Sequence, residues 1–273
     1  MRGKLLIQTI GYFLFVSFLS ACSSLQQTTQ LPNTSRLSAS AFFEWASHQS
    51  AAARDSAAVA EILSGNYPSH TLSWKTIHTE IQIDEATIIR ASYQVSSDYL
   101  SLGTEKDWSR IPLTPHSAQL IADSFHCFLP TRKMVNDIYR AARVKLSPMP
   151  MFAFRDSSIT LYQHHLIIEG MRKGAKGLIG GIKKDLVISS QLNQTAKPNR
   201  EAIYGWHRLN GQPIQPLYTG HVNWYVDYSH GVRLIKRNIR VNGKDYDYIK
   251  VLQDPVLYKL LCDEPECTVY RYE

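Results

Sequence analysis

The alternation of apolar and polar positions changes period several times along the chain, and each change predicts an element. Residues 39–63 carry Phe42, Phe43, Trp45, Val59 and Ile62 among many alanines, a helical spacing closed by Gly65, so one or two helices are expected. From residue 71 β-branched and aromatic residues take over. Leu72, Trp74, Ile77, Ile81 and Ile83, then Ile88, Ile89, Tyr93 and Val95, read as two or three strands with Asp84-Glu85 at a turn. Short extended pieces at 98–103 and 108–113 complete a small antiparallel sheet. Thr114-Pro115 then opens a helix running to Phe125, and Pro130-Thr131 opens another in which Met134, Val135, Ile138, Tyr139 and Ala142 share a face. Pro148 and Pro150 interrupt the chain before a further helix at 162–176 that carries His164, His165 and Glu169.

The remainder is strand-rich. Residues 185–189 and 202–206 predict short buried strands, Asn210-Gly211 a turn, and 232–241 with 245–248 a hairpin around Asn242-Gly243. One or two helical turns are expected before Leu261. With no internal repeat and no strong linker, the fold expected is α+β: a single mixed domain over 39–273, with an antiparallel sheet and several packed helices.

The N-terminus sets the compartment. Met1-Arg2-Gly3-Lys4 is a short basic start, residues 5–19 form an apolar run too short for a comfortable membrane span, and Leu19-Ser20-Ala21-Cys22 follows. This arrangement resembles the lipobox of bacterial lipoproteins. The resemblance implies a signal peptide at 1–21, lipidation of Cys22, a membrane partner through that anchor, and residues 22–38 as a flexible polar tether. Ser23-Ser24 after the cysteine, with no Asp there, is similar to the outer-membrane pattern, so the domain is expected to face the periplasm. Cys262 and Cys267 bracket a Pro-containing turn, and an oxidising compartment would join them as a disulfide. The formal net charge of +7 suits an anionic envelope polymer as partner, and no nucleic acid is expected.

Candidate chemistry concentrates at 221–234. His221, Asp227 and His230 could meet where a loop enters a strand, and two imidazoles with a carboxylate can work as an acid–base centre or as ligands of a catalytic zinc. Arg233, Lys183 and Lys184 would supply positive charge to a substrate, with Trp206 and Tyr225 as rings for stacking on sugars. The run Ser229-His230-Gly231-Val232-Arg233-Leu234 resembles the Ser-His-Gly-Cys signature of the L,D-transpeptidases, with His207 or His221 in the part of the upstream histidine. Val232 stands where that family's nucleophilic cysteine follows the glycine, so the family's covalent step has no thiolate at this position. Cys127 is the only other thiol on offer, either as a nucleophile or as a small buried hydrophobe. The glycine–lysine segment 173–185 is a candidate anion-binding lid over the site. The expected function is an envelope hydrolase or remodelling enzyme acting on peptidoglycan or a related polymer. The alternative is a non-catalytic lipoprotein that binds a glycan or a partner protein.

Overall fold

The computed structural model describes residues 36–194 and 196–273. The expected signal peptide, Cys22 and the tether up to Ser35 lie outside the described residues. Among the described residues no helix is long and apolar enough to cross a membrane.

The fold is α+β. Helices α1 (Ala39–Ala46) and α2 (Ala51–Leu63) are each started by a serine, Ser38 and Ser50, whose hydroxyl accepts a first-turn N–H. The long hairpin of β1 (Trp74–Gln82) and β2 (Ile88–Ser96) pairs Trp74 with Ser96, and buries Ile77, Ala91, Tyr93 and Val95. A second, short hairpin joins β3 (Ser101–Gly103) to β4 (Trp108–Arg110). Thr114 caps α3 (Pro115–Ser124), which leads through β5 (Cys127–Phe128) to α4 (Arg132–Ala141), capped by Thr131. After β6 (Val144–Lys145) comes α5 (Ser158–Arg172). It begins and ends four residues before the expected span because Ser157 caps it and Lys173 closes it in the left-handed conformation.

The second half supplies β7 (Ile179–Gly180), β8 (Lys184–Val187), the single-turn α6 (Gln191–Gln194), β9 (Ala202–His207) and β10 (Pro213–Tyr218). Then come β11 (His230–Gly231), β12 (Ile235–Lys236), β13 (Asn238–Val241), β14 (Lys244–Asp247) and α7 (Tyr248–Gln253). Asn242 and Gly243 both have positive φ, the two-residue turn that this dipeptide favours.

Two sheets organise these strands. One runs β14-β13-β2-β12-β5 with β1 also on β2, and the other runs β10-β9-β8-β11. Pairing is mostly antiparallel, with two short parallel pairs, β8 with β11 and β6 with β7. A shared core of Phe42, Ile62, Tyr93, Phe128, Ile138, Leu234 and Tyr248 reaches from α1 to α7.

The stretch 232–241 is not the continuous strand its β-branched residues suggest. It is interrupted at 232–234 and again at Arg237, whose N–H donates to the His126 carbonyl at 3.3 Å. In the first interruption Arg233 is fully buried and donates from Nη1 to the Ser96 carbonyl at 3.0 Å and from Nη2 to the Ile179 carbonyl at 2.7 Å, over the ring of Tyr99. A second buried cation, Arg110, pairs with Asp98 and Glu169, each at 2.7 Å. Cys262 and Cys267 form a disulfide, and its short loop restrains the C-terminal segment locally.

Candidate functional site

The open end of the smaller sheet gathers the polar residues. Lys184 on β8 lies opposite His230 on the parallel strand β11, and opposite Gly205 on β9. Glu201 immediately precedes β9. The bridge between Arg200 and Val222 folds the 219–223 loop back onto this end, with the Glu201 N–H donating to the His221 carbonyl at 3.2 Å. Strand pairing thus joins residues from four separate segments.

His230 is fixed first. The amide N–H of Asp227 donates to its Nδ1 at 2.8 Å, so that nitrogen carries a lone pair and the ring's first proton sits on Nε2. Nε2 lies 3.1 Å from Glu201 Oε1, an ion-pair contact rather than a hydrogen bond. Burial alone would disfavour charge on this ring, but the Asp227 and Glu201 carboxylates outweigh burial and raise its proton affinity. In the neutral ring, the Asp227 amide against Nδ1 decides that the proton sits on Nε2.

Asp227 is a brace. Its Oδ1 accepts the Ser229 N–H at 2.8 Å and the Ser229 hydroxyl, and its Oδ2 pairs with Arg155 at 2.8 Å. Burial alone would raise its pKa, but the neighbouring His230 ring and Ser229 more than offset this and hold the carboxyl far below the usual range. Ser229 is fully buried in that turn.

His221 is the exposed partner. Its side chain retains 28% of its accessibility, whereas that of Glu201 retains 1%. Burial would raise the Glu201 pKa, yet the two imidazoles hold it below the usual value, so the group is a carboxylate and can only accept. The His221 Nδ1 at 3.2 Å from Oε1 is therefore the donor, which leaves Nε2 as the ring's free lone pair. Tyr218 and Tyr225 meet the His221 ring edge to face, each with centroids 5.1 Å away. Gly220 makes this clamp close: a Cβ there would land on the Tyr218 ring and hydroxyl. The site faces an open cavity of about 420 Å³ lined by Arg155, Lys184, Arg200, His221 and Tyr225.

Glu201, His221 and His230 each bring a ligand atom within 4.8 Å of the others, the donor set that zinc favours. Zinc would need the Nε2 lone pair of His230, and the Asp227 amide keeps the proton on that nitrogen. The cluster fits a carboxylate hydrogen-bonded by His221 and in ion-pair contact with His230 better than it fits a cation.

The remaining candidates are placed as follows. Tyr225 is in the cavity. Trp206, beneath the Lys184 ammonium at 5.6 Å, lines a neighbouring cavity of about 460 Å³ with Pro148, Pro150, Leu209 and Ile214. Lys183 turns inward, its amine on His164 Nδ1 at 3.0 Å and on the Tyr228 carbonyl, and burial with the nearby Arg110 pushes its pKa down to about 7. Arg233 is the buried brace described above. His207 stacks on Tyr139, and its Nε2 donates to Asn136 at 3.0 Å. It is His221 whose ring meets that of His230, at 5.6 Å between centroids. Burial pushes the Cys127 thiol up to about 11, which opposes a thiolate nucleophile. The glycine–lysine segment borders a different cavity, of about 570 Å³, with Lys75, Trp108 and Arg172. Glu201 was not among the candidates: it lies 20 residues before His221 in a polar stretch with no motif around it.

No protein-family model, no curated protein and no solved structure matches the chain.

Proposed function

We propose that the protein is an envelope hydrolase or remodelling enzyme acting on peptidoglycan or a related polymer, with His221 as general base. The observation that carries this reading is the contact of the buried Glu201 carboxylate with His221 Nδ1 at 3.2 Å, on a ring that lines an open cavity. A buried carboxylate holding an imidazole in one tautomer is the arrangement that makes histidine an effective base. In the step proposed, a water oxygen bonds to the substrate carbonyl carbon while its proton passes to His221 Nε2. The carbon–nitrogen bond of the tetrahedral intermediate then breaks, and the same proton goes to the leaving amine. His230 and Asp227 position Glu201 and the loop.

The test is His221→Gln on purified peptidoglycan, followed by chromatography of released fragments. Loss of release by a folded variant supports the reading; unchanged release overturns it. A second reading, a non-catalytic binding module, draws on the near-complete burial of Asp227, Ser229 and His230 in mutual hydrogen bonds. It predicts no release by the wild type, and unfolding of His230→Ala.

We also propose lipid anchoring at Cys22 on the periplasmic face of the outer membrane, supported by the lipobox resemblance. Mass spectrometry of the mature N-terminus tests it: a diacylglyceryl-modified Cys22 is expected, and an unmodified or uncleaved terminus contradicts it.

A further inference from the structure

We propose that Lys184 and Arg200 form an anion-binding subsite in the His221 cavity, seating a carboxylate or phosphate of the substrate beside the base. This rests on the reading of that cavity as the functional site. Three cations line it, and their commitments differ. Arg155 is paired with Asp227 at 2.8 Å. Arg200 donates from Nη1 to the Gly220 carbonyl at 3.0 Å, which pins its guanidinium, while its Nε is buried without a hydrogen-bond partner. Lys184 is only 8% exposed, and among the described residues its ammonium has the face of Trp206 but no hydrogen bond or ion pair.

Buried donors in folded proteins are nearly always partnered, and an unpaired buried charge is the most costly exception. Along one cavity the Lys184 ammonium reaches the open space with no anionic partner among the described residues, and the Arg200 guanidinium keeps one buried donor unpaired, which points to an anionic ligand. The protein's own carboxylates there are already engaged: Asp227 by Ser229 and Arg155, and Glu201 by His221 beside His230. The backbone also holds Lys184 rigidly, because β8 is paired on both sides, with Gly205 and with His230. An ammonium carried on the strand paired with that of His230, a planar guanidinium donor and the free lone pair of His221 suit an anionic group adjoining a scissile bond. An amino sugar or peptide bearing a free carboxylate has that chemistry, as does a phosphorylated polymer.

The test is calorimetric titration of the full chain with N-acetylmuramic acid, with its uncharged counterpart N-acetylglucosamine, and with inorganic phosphate. The sugar acid is expected to bind, with affinity falling as salt rises, and the neutral sugar is not. Lys184→Met, which keeps the stem over Trp206, should weaken anion binding by roughly tenfold, the loss of about one charge-assisted hydrogen bond. Lys184→Arg should restore most of it, and Lys176→Met, at the other cavity, should change nothing. Phosphate binding with the same dependence on Lys184 would identify phosphate as the group recognised. Binding of neither anion, or affinity within twofold of wild type in Lys184→Met, overturns the subsite. His221→Gln separates the two claims: retained anion binding without turnover supports both. Retained binding with unchanged turnover removes the base and leaves the subsite. Turnover that depends on His221, with anion binding indifferent to Lys184, does the reverse.

Discussion

Replacing Glu201 with Gln changes one atom and removes the charge on which the site depends. In the wild type Oε1 lies 3.2 Å from His221 Nδ1 and 3.1 Å from His230 Nε2, so one oxygen contacts two imidazole nitrogens. The amide of Glu201→Gln can turn its oxygen to one ring, but its NH₂ then lies near the other side of the cluster, and the pull that favours the Nδ1 tautomer of His221 is lost. Loss of the correctly held base costs ~10²- to 10⁴-fold in kcat. Leaving one buried donor badly matched costs about 1–3 kcal/mol, which for a chain of this size lowers Tm by roughly 2–12 °C. The assay is fragment release from peptidoglycan at a temperature well below both melting points, with near-ultraviolet circular dichroism to confirm the fold. A folded Glu201→Gln with kcat within threefold of wild type would refute the reasoning, because the carboxylate would then have no part in setting the base.

Other expectations follow from neighbouring contacts. Gly220→Ala drives a methyl into Tyr218 and should cut turnover at least tenfold by displacing His221, while melting within a few degrees of wild type because the loop is at the surface; a large loss of stability with normal turnover would contradict this. Lys183 has a folded pKa of about 7 against an ordinary 10.5, so between those values the unfolded chain binds the extra proton and stability rises with pH. Relative to Lys183→Met, wild-type stability should climb by about 1.4 kcal/mol per pH unit in that window; parallel urea-unfolding profiles for the two proteins would rule out a buried neutral amine. Cys127→Ser should keep full turnover, and the wild-type thiol should resist iodoacetamide until the chain unfolds. Rapid alkylation of the native protein would mean the thiol is neither buried nor inert.

Much of the architecture is legible from local chemistry. Thr114-Pro115, Pro130-Thr131, the β1–β2 hairpin and Asn242-Gly243 each carry their instruction within a few residues, so these elements form where the sequence places them, whereas Ser157, a cap the pattern does not mark, starts α5 four residues early. What local pattern does not carry is long-range pairing. Residues 232–241 carry Val232, Leu234, Ile235, Ile239 and Val241 at strand-like positions, but the run is interrupted where the Arg233 side chain reaches the distant Ser96 and Ile179 carbonyls and where the Arg237 N–H turns to His126. The same holds for the site. His221, Asp227 and His230 crowd one segment and announce themselves, whereas Glu201 arrives only through the Arg200–Val222 bridge. Lys183 and Lys184 look equivalent in sequence, yet strand alternation buries the first against His164 and turns the second toward the cavity.

The central claim is that Glu201 holds His221 with its proton on Nδ1 and its lone pair on Nε2. Long-range proton–nitrogen correlation of the imidazoles in a ¹⁵N-histidine-labelled chain reads this directly. Expected are the Nδ1–H tautomer for neutral His221 and, above the raised pKa of His230, the Nε2–H tautomer for that ring, with His221 losing its preference in Glu201→Gln. A His221 that carries its proton on Nε2 in the wild type, or is indifferent to Glu201→Gln, would contradict it.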